Sequence, residues 1–272
     1  MERQVIKIEA EACQNLNTII SRIRAQQEKT EQSSTIYPTC SCNICKDTTW
    51  IEGENGVRRC TCYIQNRIKR LWEDFGVSLE KVKKINNYIT FDSKTEEAKE
   101  KAIDYIKNFK TLKEKEKNWF GLFGQNGAGK THLIVALGAA LIKENVPVIY
   151  MPYVEAIRDL KSNVMDDEYY KKMLGRFQKA DVLIIDDLFK DKTKNGVLIG
   201  DITETDIKHF YPILNYRYNN KLPILFSTEC TPGMLIKLDE AQCGRILEKC
   251  EDRKVVFKGS QYNYRMKEFV KK

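Results

Sequence analysis

Residues Gly124 to Thr131 read GQNGAGKT, matching G-x-x-x-x-G-K-[ST]. These residue types suit the holding of nucleotide phosphates. The glycines let the backbone N–H groups from Gly124 through Gln125, Asn126, Gly127, Ala128 and Gly129 wrap anionic oxygens. A helix N-terminus placed there adds positive potential. Lys130 would reach the β- and γ-phosphates, and Thr131 would ligate Mg²⁺. The motif follows an apolar run, NWFGLFG, and opens an apolar helical one, THLIVALGAALI, which is the context it requires. His132 comes next; helix packing beside the loop is its plain reading, and it stays among the candidate nucleotide contacts.

Further on, DVLIIDDL carries four apolar residues and ends at Asp186 and Asp187. Asp186 would hold Mg²⁺ directly or through water, and Asp187 would polarise an attacking water. A solvated strand end is the ordinary explanation for such an acidic pair. A phosphate loop at this distance upstream weakens it. A kinase would also need an acceptor site, for which there is no distinctive signature.

A second group of reactive residues lies earlier. Cys42 and Cys45 have two residues between them, fourteen residues follow, and then come Cys60 and Cys62 with one residue between them. Two close pairs joined by a hairpin-length segment bring four thiolates onto one tetrahedral zinc. The segment TTWIEGENGVRRC supports this, since EGENGV supplies turn residues between two strand-like pieces. So small a module buries little apolar surface, so a metal would supply much of its folding energy. Disulfides and a redox Cys-x-x-Cys fit less well. Cys40 is an alternate ligand by spacing. Cys13, Cys230, Cys243 and Cys250 are scattered and read as buried inert thiols. With no His in the cluster, the metal would be structural, and the module a recognition element.

Positioning these groups requires a sheet. NWFGLFG, VPVIYMP, DVLIIDD, LPILFSTE and RKVVFKG are short β-rich runs, mostly separated by helical patterns, which implies a parallel sheet covered on both faces. Residues 1 to about 28 have a helical pattern, KTEQSSTIYPT breaks it, and residues 63–85 look helical again. Ser93 or Thr95 marks the start of another helix. The chain has 272 residues, 42% hydrophobic and 31% charged, enough for one sizeable domain and a small one. No apolar run approaches the roughly 18 residues of a membrane span. The N-terminus has no signal-peptide core, so cytoplasm is the default location. The net charge of +8 mildly favours a polyanionic partner. His209 sits in a polar stretch and reads as surface.

The order of motifs adds a resemblance. The cysteine module, TFDSKTEEAKEKA, GLFGQNGAGKTHL, VLIIDDL, PILFSTECTPGML, LDEAQCGRILEKC and YNYR together resemble the DnaC/DnaI-type replicative helicase loaders, over about residues 40 to 266. These are AAA+ ATPases close to the IstB transposition helpers. The resemblance implies an α/β fold, a P-loop AAA+ core with a five-stranded parallel sheet flanked by helices, behind a small zinc-binding module. The organisation would be 1–75 for the N-terminal helix and zinc module, 76–90 for a linker, and 91–272 for an ATPase domain without a lid. It implies that Arg245 acts as an arginine finger across a subunit interface, and that Arg265 contacts nucleotide within the same subunit. The family usually places an asparagine at the end of the fourth strand. Glu229 stands there, and Thr228 would substitute for it in catalysis, with slow hydrolysis as a result. The implied cofactors are ATP/ADP, Mg²⁺ and Zn²⁺. The implied partners are a hexameric replicative DNA helicase, single-stranded DNA and further copies of the chain, with no membrane. Two alternatives stand beside loading: an IstB-like helper of transposition, and a nucleotide-binding zinc adaptor without turnover.

Overall fold

The computed structural model describes residues 41–53, 56–77, 82 and 84–264. The helix expected over residues 1–28, together with Cys13, Cys40 and Arg265, lies outside them. The chain divides into two compact units, Met1–Cys62 and Tyr63–Lys272.

In the first unit, β1 (Trp50–Gly53) and β2 (Gly56–Arg59) form an antiparallel ribbon, with Trp50 opposite Arg59 and Gly53 opposite Gly56. The Asp47 carboxylate accepts hydrogen bonds from the Ser41 and Cys42 backbone N–H groups and shapes the turn that carries Cys42 and Cys45. Cys60 N–H donates to the Thr49 carbonyl at 2.9 Å, which brings the second cysteine pair back to the first. The buried side chains here are Cys45, Cys60 and Cys62, with Cys42 and Ile51 packed against them. Trp50 is not part of that core: it is 45% exposed, with the Arg59 guanidinium 3.6 Å over its ring.

The helix α1 (Thr61–Phe75) follows and stops at Gly76, whose φ of 78° is the left-handed conformation that ends helices. The periodic pattern continues to residue 85, but this glycine ends the helix ten residues earlier. The sequence pattern also groups residues 63–75 with the cysteine module. In the structure Leu71 and Phe75 are buried in the core of the second unit.

The second unit is built on β3 (Phe120–Gly124), β4 (Val148–Pro152), β5 (Val182–Leu188), β8 (Ile224–Thr228) and β9 (Lys254–Phe257). They form a five-stranded parallel sheet in the order β4-β5-β8-β3-β9. Two short strands, β6 (Thr193–Lys194) and β7 (Val197–Leu198), make a hairpin after β5.

Alternation along the strands builds two cores. Leu122, Ile184, Leu225 and Val255 face one side, where they meet α2 (Ser93–Lys107), α4 (Lys130–Lys143) and the end of α1; the one-turn helix α3 (Phe109–Leu112) caps this core. Phe123, Leu183, Ile185 and Phe226 face the other side. There they meet α5 (Tyr153–Ser162), α6 (Asp167–Lys179), α7 (Tyr211–Asn219), α8 (Pro232–Leu238) and α9 (Glu240–Cys250). Gly121 is needed on that face: a Cβ there would lie 2.6 Å from the Phe226 ring, which packs edge-on against Phe123. Trp119, just before β3, is fully buried and donates its indole N–H to the Leu222 carbonyl at 3.0 Å.

The helix starts follow local chemistry. α2 is capped by Asp92, which accepts from Thr95 N–H while Thr95 returns the bond, so the N-cap precedes Ser93. Asp166 caps α6, Thr231 caps α8 and Asp239 caps α9. α4 is apolar nearly all round and is buried from Leu133 to Ala139, as a central helix must be. No helix among the described residues is long and apolar enough to cross a membrane.

A π-helical turn, Asp206–Phe210, leads into α7. It buries His209, whose Nδ1 lies 3.0 Å from the Tyr170 hydroxyl, so this histidine is not the surface residue that its polar neighbours suggest. Cys230, Cys243 and Cys250 are fully buried. Burial pushes the Cys243 thiol up to about 12, which keeps it protonated and inert.

Candidate functional site

The carboxyl ends of β3, β5 and β8 meet at a cleft of about 1120 Å³. β3 ends at Gly124, where φ is 93° and a Cβ would lie 2.2 Å from the Phe257 carbonyl oxygen, so only glycine fits. The loop then runs over residues 125–129 and enters α4. Gly129 caps that helix at φ 78°, and a Cβ there would lie 2.8 Å from the Tyr88 ring. Tyr88 also donates its hydroxyl to the Ala128 carbonyl at 3.0 Å, and Tyr264 N–H donates to the Gly127 carbonyl at 3.1 Å. The segment before α2 and the one after β9 therefore both brace the loop.

The Lys130 side chain is folded into the loop. Its ammonium donates to the Gly124 and Gln125 carbonyls at 2.7 and 2.8 Å. Thr131 donates to Asp186 Oδ1 at 2.9 Å. Ser227 donates to the same oxygen, and the Tyr150 hydroxyl donates to Oδ2 at 2.7 Å. Asp186 is thus held by three hydroxyl donors from three different elements. Asp187 N–H donates to Ser227 Oγ at 2.9 Å, and Asp187 itself takes a φ of 56°. Burial, then the neighbouring Asp186 charge, raises the Asp187 carboxyl above its ordinary value, while Lys190 and Lys130 pull it back.

Other walls of the cleft come from Gly76, Val77, Ile89, Phe91 and Tyr264, an apolar and aromatic surface beside the phosphate loop. His132 also lines it; its ring packs edge-on to Tyr88 at 5.5 Å and its Nε2 lies 3.3 Å from the Lys84 carbonyl.

Thr228 lies away from this cleft, and Arg245, expected to serve a neighbouring copy, is not on its walls either. Thr228 is fully buried and donates to the Leu188 carbonyl at 2.7 Å, so its hydroxyl ties β8 to β5 and does not line the cleft. Arg245, on α9, donates to Asn215 Oδ1 at 2.7 Å, with its guanidinium 5.2 Å over the Tyr218 ring. Glu229 does line the cleft, paired with Lys190.

A profile described as "IstB-like ATP binding protein" matches residues 66–230, more than half of the chain. The chain belongs to this family. The phage-like element PBSX protein XkdC of Bacillus subtilis (strain 168) is 36% identical over 240 residues, covering 83% of this chain and 86% of XkdC. The crystal structure of the DnaC helicase loader superposes with a TM-score of 0.53 at 21% identity, over 70% of this chain and 99% of that one. The replication initiator DnaA, solved with AMPPCP and single-stranded DNA, gives 0.52 at 20% identity, over 68% of this chain and 55% of that one. This member of the IstB-like family is an ATPase with a five-stranded parallel sheet flanked by helices, the fold it shares with those structures.

In the first unit the four cysteine sulfurs lie within 4.8 Å of one another. Cys42 and Cys60 are 3.7 Å apart, and Cys45 and Cys62 are 3.3 Å apart. Four thiolates at about 2.3 Å from one zinc lie about 3.8 Å from each other, so the cluster could hold that ion. The backbone N–H groups of Cys45 and Ile44 point at the Cys42 sulfur and lower its pKa to about 6, favouring the ligating thiolate. Replacing Cys60 with serine is expected to remove the metal. Elemental analysis of the full chain should fall from about one zinc per chain to background, and proteolysis within residues 41–62 should accelerate. Full metal content in the variant would overturn the assignment.

Proposed function

We propose that this IstB-like ATPase is an assembly factor that binds a hexameric replicative DNA helicase and deposits it on single-stranded DNA. One observation carries the proposal. The cleft presents a phosphate loop and Lys130, with Asp186 held behind its Thr131 and Tyr150 walls, yet among the described residues no arginine lines it. A site with lysines but no arginine on its described walls is suited to completion by a guanidinium from a neighbouring copy. Arg245, partly exposed on α9, supplies that cation in trans, and Arg265 supplies one within the subunit. Turnover then depends on assembly.

In this scheme the loop from Gly124 to Gly129 and the N-terminus of α4 hold the phosphates, and His132 borders them. Lys130 neutralises β- and γ-phosphate charge. Thr131 and Asp186 hold Mg²⁺, which supplies charge neutralisation on the phosphate oxygens when bound. Asp187 orients water. Thr228 braces the strand ends. Cys42, Cys45, Cys60 and Cys62 hold a structural Zn²⁺, and the module offers exposed Ile44, Trp50, Val57 and Arg58 as contacts to the helicase. Exposed apolar and arginine side chains are favoured interface anchors.

The family also contains transposition helpers, and duplex DNA is what separates them from loaders. The test is binding of the assembled protein with ATP to fluorescent single- and double-stranded oligonucleotides across a salt series, alongside capture of the purified helicase. Loading predicts capture, preference for the single strand, and affinity that falls steeply with salt as phosphate contacts release counterions. Preference for duplex without helicase capture would overturn the proposal in favour of transposition.

A further inference from the structure

Glu229 is an odd residue to find at the end of β8. It is 5% exposed, and it lines a cleft built for polyphosphate, where a buried carboxylate repels the ligand. Its carboxylate is paired with Lys190, and the Thr193 hydroxyl donates to it at 3.4 Å. The two partners are unequal: the Lys190 side chain is 38% exposed and the Glu229 side chain 4%. The carboxylate is therefore the fixed member and the ammonium the accessible one.

The backbone explains how Lys190 reaches the cleft. Asp187 and Phe189 have φ values of 56° and 57°, which turn the chain back as it leaves β5. Phe189 anchors that turn, packing edge-on against Tyr153 at 5.4 Å and Phe210 at 5.6 Å. Lys190 follows on a fixed root and lines the cleft with Asp187 and Lys130. Asp187 is within electrostatic reach of both lysines, so Lys190 brings a second cation to the water-facing side of the phosphate site.

We propose that Lys190 is a specificity residue that distinguishes ATP from ADP. Anchored by Glu229, its three-donor ammonium is shared with the terminal phosphate, and it cancels the repulsion that the buried Glu229 would otherwise exert. An ammonium has donors enough to bridge two anions. ADP lacks the group that Lys190 meets and gains nothing from it. This rests on the cleft being the nucleotide site, as proposed above.

Equilibrium titration with mant-ATP and mant-ADP tests it. Lys190→Ala should weaken mant-ATP at least about tenfold and leave mant-ADP within about twofold. Lys190→Met, which keeps the stem, should behave alike. Adding Glu229→Gln to Lys190→Ala should recover only part of the lost mant-ATP affinity, because it removes the uncovered negative charge but restores no donor to the terminal phosphate; full recovery would mean that Lys190 only masks Glu229 and would overturn the proposal. Equal losses for both nucleotides, no loss for either, or no rescue by Glu229→Gln would each overturn the proposal. Lys130→Ala is the control for the site itself. If wild type binds neither probe, or Lys130→Ala loses neither, the nucleotide-site assignment fails first.

Discussion

Lys130→Ala is expected to weaken nucleotide binding at least about 100-fold, equivalent to roughly 2.7 kcal/mol. Lys130 is 6% exposed, and its ammonium sits among the carbonyls of the loop it serves. Without it, several phosphate charges enter a confined cleft lined by Asp187 and Glu229 and backed by Asp186, with Lys190 the remaining lysine on its walls among the described residues. Backbone N–H groups alone do not offset that charge. The variant should still fold, because the loop is braced independently by Tyr88 and Tyr264. The check is titration with a fluorescent ATP analogue beside a thermal melt. Near-wild-type affinity in a folded variant would remove the basis for every role assigned to the loop.

Arg217→Met is expected to destabilise the second unit by about 4 kcal/mol. Arg217 is fully buried on α7. One terminal nitrogen donates to the Phe177, Gln178 and Ala180 carbonyls at 3.0, 3.1 and 2.8 Å, and the other to the Pro223 carbonyl at 2.6 Å. The first three lie at the C-terminus of α6, where carbonyls have no partner within the helix. The fourth lies at the entrance to β8. One fork thus satisfies four carbonyls and fixes α6 against the strand. Burial pulls the pKa of Arg217 down to about 9, so it stays protonated at neutral pH. Methionine fills much of the volume and donates nothing. Lysine has three donors but no planar fork, and should fall between the two. Urea unfolding measures the loss; a change below about 1 kcal/mol would mean that the carbonyls find other partners.

The parts of the site lying in one continuous stretch were readable in the sequence. The phosphate loop declares itself because glycines, a lysine and a threonine must come in fixed order between an apolar strand and a helix. Asp186 and Asp187 are readable because four apolar residues mark the strand that delivers them. Tyr150 and Ser227 were not, because they meet Asp186 through parallel register: Tyr150 pairs with Ile184 and Phe226 with Ile185. Nothing local to either residue reports that register. Thr228 shows how sharply alternation decides a role. Ser227 points its hydroxyl at Asp186, and one residue on, Thr228 points to the Leu188 carbonyl. The five strands were visible as apolar runs, whereas the boundary between units was not, since α1 reads as amphipathic wherever its apolar face is buried.

With Trp72, half-buried on α1 of the second unit, replaced by phenylalanine, the two tryptophans that remain give the two units different colours. Trp50, on the ribbon, faces solvent under a guanidinium, so its emission should be red-shifted and easily quenched by iodide. Trp119 is sealed at the root of the sheet with its indole N–H on a carbonyl, and should emit in the blue and resist quenching. Stripping metal from the cysteine cluster should therefore alter the red, iodide-accessible fraction and leave the blue one in place. Urea should move the blue fraction when the sheet opens. A single untagged sample thus reports on both units, and the order in which the two signals change gives the order in which the units come apart.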